Sequence, residues 1–114
     1  MRFLIAVLAS FAANTVFATP NAACPASHDA LIADITTVGQ NKRVGELCRV
    51  EPPRIQRMVQ KHLESFKPCM QELGVGETEI KTAMTKGAAL GEGVFNRSGV
   101  KEQLCASTSE GIGK

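Results

Sequence analysis

Hydrophobic residues recur every three or four positions along most of the chain, which is the spacing of amphipathic α-helices. The first such stretch follows Ser27, a favourable N-cap, and stops before Gly39, which suits the left-handed position just past a helix. A second, shorter helix begins after Asn41 and ends at Glu51, because Pro52 disfavours helical geometry in the residue before it. The pattern therefore predicts two short helices in this part of the chain.

The third helix carries the most regular apolar stripe of the sequence. Pro53 is well placed as its first residue, and Pro68 is expected to kink or end it. Charged and amide side chains occupy the opposite face. The stripe comprises Ile55, Met58, Val59, His62, Leu63 and Phe66.

A fourth helix follows Gly76, with acidic residues in its first turn that interact favourably with the helix dipole. Gly-Glu-Gly at 91–93 predicts a loop, and Ser98 caps a last short helix. From about residue 106 the apolar periodicity is lost, so a frayed tail is expected. Because no segment alternates like a strand, the pattern predicts an all-α bundle of four to five short helices.

The first 18 residues are typical of a cleaved signal peptide. Arg2 precedes an almost unbroken apolar run over 3–13, and Ala18 ends a segment suited to signal peptidase. The run is shorter than the ~20 residues that span a bilayer, and a retained N-terminal anchor is the alternative. We expect a single helical domain over 19–114, secreted from the cell, or periplasmic if the source is bacterial.

The four cysteines would then meet an oxidising environment, where an even number predicts paired disulfides. They are Cys24, Cys48, Cys69 and Cys105. A metal site is the alternative, but no C-x-x-C motif occurs and the two histidines show no recurring ligand spacing. Met58 and His62 lie one turn apart and could share copper, although a half-buried histidine within an apolar stripe is the simpler interpretation. No metal or cofactor is predicted.

Helix order leaves two of the three possible disulfide pairings open. If successive helices are antiparallel, Cys24 and Cys48 lie at one end of the bundle, and Cys69 and Cys105 at the other. This arrangement favours Cys24–Cys48 with Cys69–Cys105. The crossed pairing, Cys24–Cys69 with Cys48–Cys105, requires the chain to fold back near Pro68.

Composition narrows the classes of function. Thirteen Lys and Arg against eleven Asp and Glu give a formal charge of +2, too balanced for a typical nucleic-acid binder. No Trp or Tyr is present to stack on bases or sugars. No catalytic motif is found, so a non-enzyme is expected. Asn96-Arg97-Ser98 fits the N-glycosylation pattern and falls in a predicted loop.

Two families of small secreted carriers resemble this chain in part. The segment RIQRMVQKHLESFKPCMQELGVGETEIKTAMTK, beginning at Arg54, resembles the opening of insect odorant-binding proteins, and the likeness extends over 53–105. Cys69 and Cys105 would match the first and third cysteines of that family. The layout of Cys24-Pro25, Cys69 and Leu104-Cys105 is similar to that of secretoglobins. Both resemblances imply a disulfide-braced helical shell around a small apolar ligand.

The first functional hypothesis is therefore a carrier of a small hydrophobic molecule in a pocket between the helices. Methionine among the lining residues suits a loosely specific apolar site. The same residues could equally fill a closed core. The alternative function is a secreted effector, inhibitor or periplasmic chaperone that acts through protein–protein contacts. The candidate pocket residues are Leu31, Ile35, Ile55, Met58, Val59, Leu63, Phe66, Ile80 and Met84.

Overall fold

The computed structural model describes residues 24–113, and this part of the chain folds into four α-helices without a strand. The helices form a small all-α bundle braced by two disulfides, as predicted, but three of them, with 20 to 22 residues, are longer than the short helices expected. The predicted signal peptide at 1–18 lies outside the described residues. None of the helices within 24–113 has the length and apolarity needed to cross a membrane. The elements are α1 (His28–Leu47), α2 (Pro52–Leu73), α3 (Glu77–Arg97) and α4 (Lys101–Ile112).

Helix α1 is continuous, so the predicted break at Gly39 is wrong. The helix begins as predicted at Ser27, whose Oγ accepts a hydrogen bond from the Ala30 N–H at 3.1 Å. Gly39 lies in its middle, where a Cβ would stand 2.5 Å from the Met84 carbonyl oxygen of α3. Glycine is needed here for the close approach of two helices, and it does not cap a helix end.

Helix α3 is also continuous, so the loop predicted at 91–93 is wrong. Gly91 is buried, and a Cβ on it would stand 2.6 Å from the Gln40 carbonyl oxygen of α1. Gly87, one turn earlier, faces the backbone of Thr36 in the same way. The two helices therefore pack backbone against backbone, with glycines on both sides of the contact.

Helix α2 begins with Pro52 and Pro53 and continues through Pro68 to Leu73. Pro68 therefore does not end the helix. The helix ends at Gly74, whose φ of 72° is left-handed and whose N–H donates to the Met70 carbonyl. The following residue, Val75, is buried in the core.

The C-terminal segment is helical, so the frayed tail predicted from about residue 106 is wrong. Arg54 of α2 holds the end of α4: its Nε donates to the Gly113 carbonyl at 2.8 Å, and its Nη2 donates to the Ser109 carbonyl at 2.9 Å. The side chain of Ile112 packs over Gly45 of α1. A cation is favourable at a helix C-terminus, where the last carbonyls lack partners within the helix.

The disulfides join Cys24 to Cys69 and Cys48 to Cys105, with Cα–Cα distances of 5.5 and 5.4 Å. All four cysteines are paired as predicted, but the favoured connectivity is wrong. Because α1 is one helix of 20 residues, Cys24 and Cys48 lie near its opposite ends, about 30 Å apart at 1.5 Å per residue. That distance is far beyond the reach of a disulfide.

Proteolysis can check this connectivity directly. Cleavage of the oxidised protein after Arg54, Arg57 or Lys61 separates the first two cysteines from the last two. Each disulfide crosses the cut, so the halves are expected to remain covalently joined until a reductant is added. Intact-mass spectrometry before and after reduction measures this. Two halves that separate without reduction would contradict the crossed pairing.

Candidate functional site

The predicted pocket residues are distributed over three places in the bundle. Six belong to the core or pack against it around the Cys24–Cys69 disulfide, and two of these, Leu31 and Ile35, are completely buried. Ile55 and Val59 line a cleft between α1 and α2, and Met58 lines a second one. The six core-associated residues are Leu31, Ile35, Leu63, Phe66, Ile80 and Met84.

The α1–α2 cleft has a volume of about 640 Å³ and lies where the end of α1 meets the first turns of α2. This volume falls within the ~300–1,000 Å³ that is usual for small-molecule sites. Half of its lining side chains are apolar, and two of them, Val50 and Ile55, are buried. The lining residues are Lys42, Glu46, Arg49, Val50, Pro52, Ile55, Gln56 and Val59.

The turn between α1 and α2 shapes this cleft. Arg49 has a left-handed backbone with φ of 64°, and its N–H donates to the Glu46 carbonyl at 3.1 Å. The next N–H, that of Val50, donates to the Gly45 carbonyl at 3.0 Å. Pro52 then starts α2 with a fixed φ. These contacts place a cationic side chain directly beside an apolar wall.

Three charged side chains in or beside the rim of the α1–α2 cleft form ion pairs within the protein. Lys42 Nζ lies 2.8 Å from one Glu46 carboxylate oxygen, and Arg43 Nη1 lies 3.1 Å from the other. Arg43 also contacts Glu92 of α3, with Nη2 at 2.6 Å. Partial burial raises the pKa of the Glu46 carboxyl, but hydrogen bonds from Lys42 and Arg43 outweigh it and lower the pKa below its usual value.

Arg49 differs from these groups because it has no ion pair among residues 24–113. The nearby carboxylate of Glu51 accepts from Arg54 Nη1 at 2.8 Å and is engaged there. The hydrogen bond from Arg54 lowers the pKa of the Glu51 carboxyl, which keeps it ionised. The α1–α2 cleft therefore combines an apolar wall with one uncompensated guanidinium.

Sequence reasoning found Ile55 and Val59 but missed the rest of the α1–α2 cleft. Arg49 and Val50 belong to a turn, where helical periodicity gives no information. The sequence does carry a signal: two charged residues and a valine stand between Cys48 and a proline pair, a segment too short to leave the bundle surface.

The second cleft, of about 280 Å³, lies beside α4 and includes Met58 and His62. His62 is exposed, and not half-buried as predicted, and its Nδ1 lies 2.8 Å from the Met58 carbonyl oxygen. Within 24–113, no group of three or more His, Cys, Asp or Glu side chains is placed to hold a metal ion. The remaining lining residues are Asn41, Ser107, Thr108, Gly111 and Ile112.

Asn96, the glycosylation candidate, lies in the last turn of α3. The loop predicted around it is therefore wrong, because the helix continues to Arg97. Its side chain is exposed, so the position is accessible at the bundle surface.

A histidine bridge joins the beginnings of α1 and α3, on a different part of the bundle. His28 Nε2 lies 2.8 Å from a Glu79 carboxylate oxygen, and its Nδ1 lies 3.3 Å from Asp29. Hydrogen bonds with Asp29 and then with Glu79 raise the pKa of His28 above 6.5. The Gly76 N–H and then His28 lower the pKa of Glu79.

His28→Gln is expected to destabilise the protein in a pH-dependent way. Protonated His28 is stabilising because its folded-state pKa is raised. Its contribution is full below about pH 6.5 and disappears as the pH rises through the folded-state pKa. In urea unfolding, the variant should have a lower free energy of unfolding than wild type at about pH 6, and the difference should be smaller at about pH 9. A difference that grows with pH would contradict the assigned charge state.

Comparison with known proteins gives no family for this chain. No protein-family model, curated protein or solved structure matches it. The resemblances to odorant-binding proteins and secretoglobins therefore stay predictions.

Proposed function

We propose that this chain is a small, non-catalytic binding protein that holds a small apolar ligand in the α1–α2 cleft. The observation that carries the proposal is the cleft itself: about 640 Å³ of space against the apolar side chains of Val50, Pro52, Ile55 and Val59. Concave sites with mostly apolar walls and a few polar groups are typical of ligand binding. Because the other predicted pocket residues serve the core or the second cleft, the proposed site lies between two helices at the surface of the bundle.

We place this activity outside the cytoplasm, in a secreted or periplasmic protein. Two disulfides brace the described residues, and such bonds persist mainly in oxidising compartments. The signal-like pattern at 1–18 supports the same compartment.

Titration with an uncharged apolar fluorophore such as N-phenyl-1-naphthylamine tests the proposal. The oxidised wild-type protein is expected to bind it saturably at one site. Val59→Glu places a charge on the apolar wall and should weaken binding about tenfold or more, close to 1.4 kcal/mol. The matched control Val100→Glu changes a valine that is 57% exposed and outside the α1–α2 cleft, and it should bind like wild type.

Gln56→Trp provides a second test that does not place a charge against the bundle. Gln56 is exposed and lines the α1–α2 cleft, so an indole there fills the space without disturbing the core. Circular dichroism shows whether each variant is folded. The proposal is overturned if folded wild-type protein shows no saturable binding, or if both cleft variants bind as well as wild type.

The second candidate function is a secreted effector, inhibitor or periplasmic chaperone that acts through protein contacts. The observation that favours it is the exposure of two large apolar side chains, Leu90 at 47% and Val100 at 57%. Exposed apolar surface can mark a protein-binding face. This function predicts no saturable binding of the fluorophore, so the same titration separates the two candidates.

A further inference from the structure

We infer that the ligand of the α1–α2 cleft is a single-chain amphiphile that ends in a carboxylate, and that its charged end binds Arg49. The inference rests on the proposed function, since it names the class of ligand for the same site. It follows from three features of the cleft: its charge balance, the state of the neighbouring helix terminus, and the placement of Arg49 next to the apolar wall.

The charge balance leaves one positive charge for the ligand. Lys42 at the rim is paired with Glu46 at 2.8 Å, so these two groups neutralise each other. Glu46 also accepts from Arg43, which is turned toward Glu92 of α3. Arg49 lines the cleft and has no ion pair anywhere in the described chain. An anionic ligand would supply the missing partner.

The N-terminus of α2 cannot bind the anionic end of the ligand in place of Arg49. Pro52 and Pro53 have no N–H, and the N–H groups of Arg54 and Ile55 both donate to the Glu51 carbonyl, at 2.9 and 3.2 Å. The N–H groups that could bind an anion at this helix N-terminus are those of residues 51–54, and the one remaining, that of Glu51, donates to its own carboxylate. Because none of them is available, the Arg49 guanidinium is the group at this end of the cleft that can recognise a carboxylate.

The position of Arg49 is determined by its backbone. It follows Cys48, which is tied to α4 by a disulfide, and its left-handed conformation is held by the hydrogen bond to Glu46. Val50, the next residue, is 7% exposed and belongs to the apolar wall. A ligand with its chain on this wall therefore has its end next to the guanidinium.

The chemistry of the guanidinium selects the end group. Its planar array of N–H donors fits a carboxylate through two parallel hydrogen bonds, which an alcohol cannot form. An ammonium end group would face the unpaired Arg49, while the carboxylate that could compensate it, that of Glu46, is held by Lys42 and Arg43. The cleft is therefore expected to rank carboxylate above alcohol and alcohol above amine.

Displacement of the bound fluorophore by three molecules with the same alkyl chain tests the inference. Dodecanoate, dodecanol and dodecylamine are used as monomers with wild type, Arg49→Gln, Arg49→Lys and the control Arg97→Gln. Arg97 is exposed at the end of α3 and outside the α1–α2 cleft. Wild type and Arg97→Gln are expected to bind dodecanoate about tenfold more tightly than dodecanol.

Arg49→Gln should reduce this preference to about twofold or less, because it weakens the binding of dodecanoate far more than that of dodecanol. Arg49→Lys should retain part of the preference, because it keeps the charge and loses the paired geometry. Higher salt should weaken the preference in wild type. Equal binding of carboxylate and alcohol by wild type, or a preference that survives Arg49→Gln, overturns the inference and leaves the proposed function standing. Failure of all three molecules and of the fluorophore to bind overturns the proposed function itself.

Discussion

Gly87→Ala is expected to lower the free energy of unfolding by about 3 kcal/mol, although alanine is the better helix former. A Cβ at this position would overlap the Thr36 carbonyl oxygen and stand 2.8 Å from the Gln40 backbone nitrogen. Both are backbone atoms of α1, so no side-chain rotation can relieve the clash. The two helices would have to separate, and the core beside them would lose packing.

Gly111→Ala is the matched control, because Gly111 lies in α4 with no atom within 4 Å of the added Cβ. This variant is expected to keep wild-type stability or gain up to about 1 kcal/mol. Urea unfolding followed by circular dichroism measures both. Similar stabilities for the two variants would mean that α1 and α3 do not approach as closely as described.

The errors of sequence reasoning about the fold come from glycines that have two possible roles. Apolar periodicity predicts helix in every helical segment of the described chain. The apolar residues with this spacing are buried in α1, α2 and α3, whereas those of α4 are only half-buried. From the sequence, Gly39 predicts a helix end and Gly91 a loop, since glycine is common at both. In the structure they allow α1 and α3 to touch, which depends on a partner helix far away in sequence.

The helix break predicted at Gly39 also explains the wrong disulfide pairing. Splitting α1 at Gly39 turns the chain back on itself and brings Cys48 to the same end as Cys24. A continuous α1 carries Cys48 to the opposite end, next to α4. The predicted frayed tail is wrong for a related reason. Hydrogen bonds from Arg54 stabilise the end of α4, and the spacing of apolar residues carries no information about such contacts.

The candidate site was only partly predictable for the same physical reason. Ile55 and Val59 belong to a helical stripe and were identified from spacing alone. Arg49 acquires its significance from the turn that follows α1 and from the pairing of the surrounding charges. Neither the geometry of this turn nor the pairing of these charges can be deduced before the arrangement of the helices is known.

Removal of the Cys24–Cys69 disulfide by Cys24→Ala with Cys69→Ala is expected to cost about 5 kcal/mol, enough to bring a domain of this size close to unfolding. The bond closes a sequence separation of 45 residues, which corresponds to about 4 kcal/mol in the chain-entropy account. The rest comes from packing, because Cys69 is 2% exposed and lies in the core with Leu31 and Ile35. Thermal and urea unfolding measure the loss.

The Cys48→Ala, Cys105→Ala variant separates these two contributions. Its disulfide spans 57 residues, so loop entropy alone makes it the more stabilising bond, by about 0.2 kcal/mol. Its cysteines are only half-buried, however, and α4 has no buried residue. Its removal is therefore expected to cost about 4 kcal/mol or less, and to release α4 before the core around Cys69 is affected. If it costs more than the removal of Cys24–Cys69, loop closure outweighs core packing, and the core around Cys69 contributes less to stability than its burial indicates.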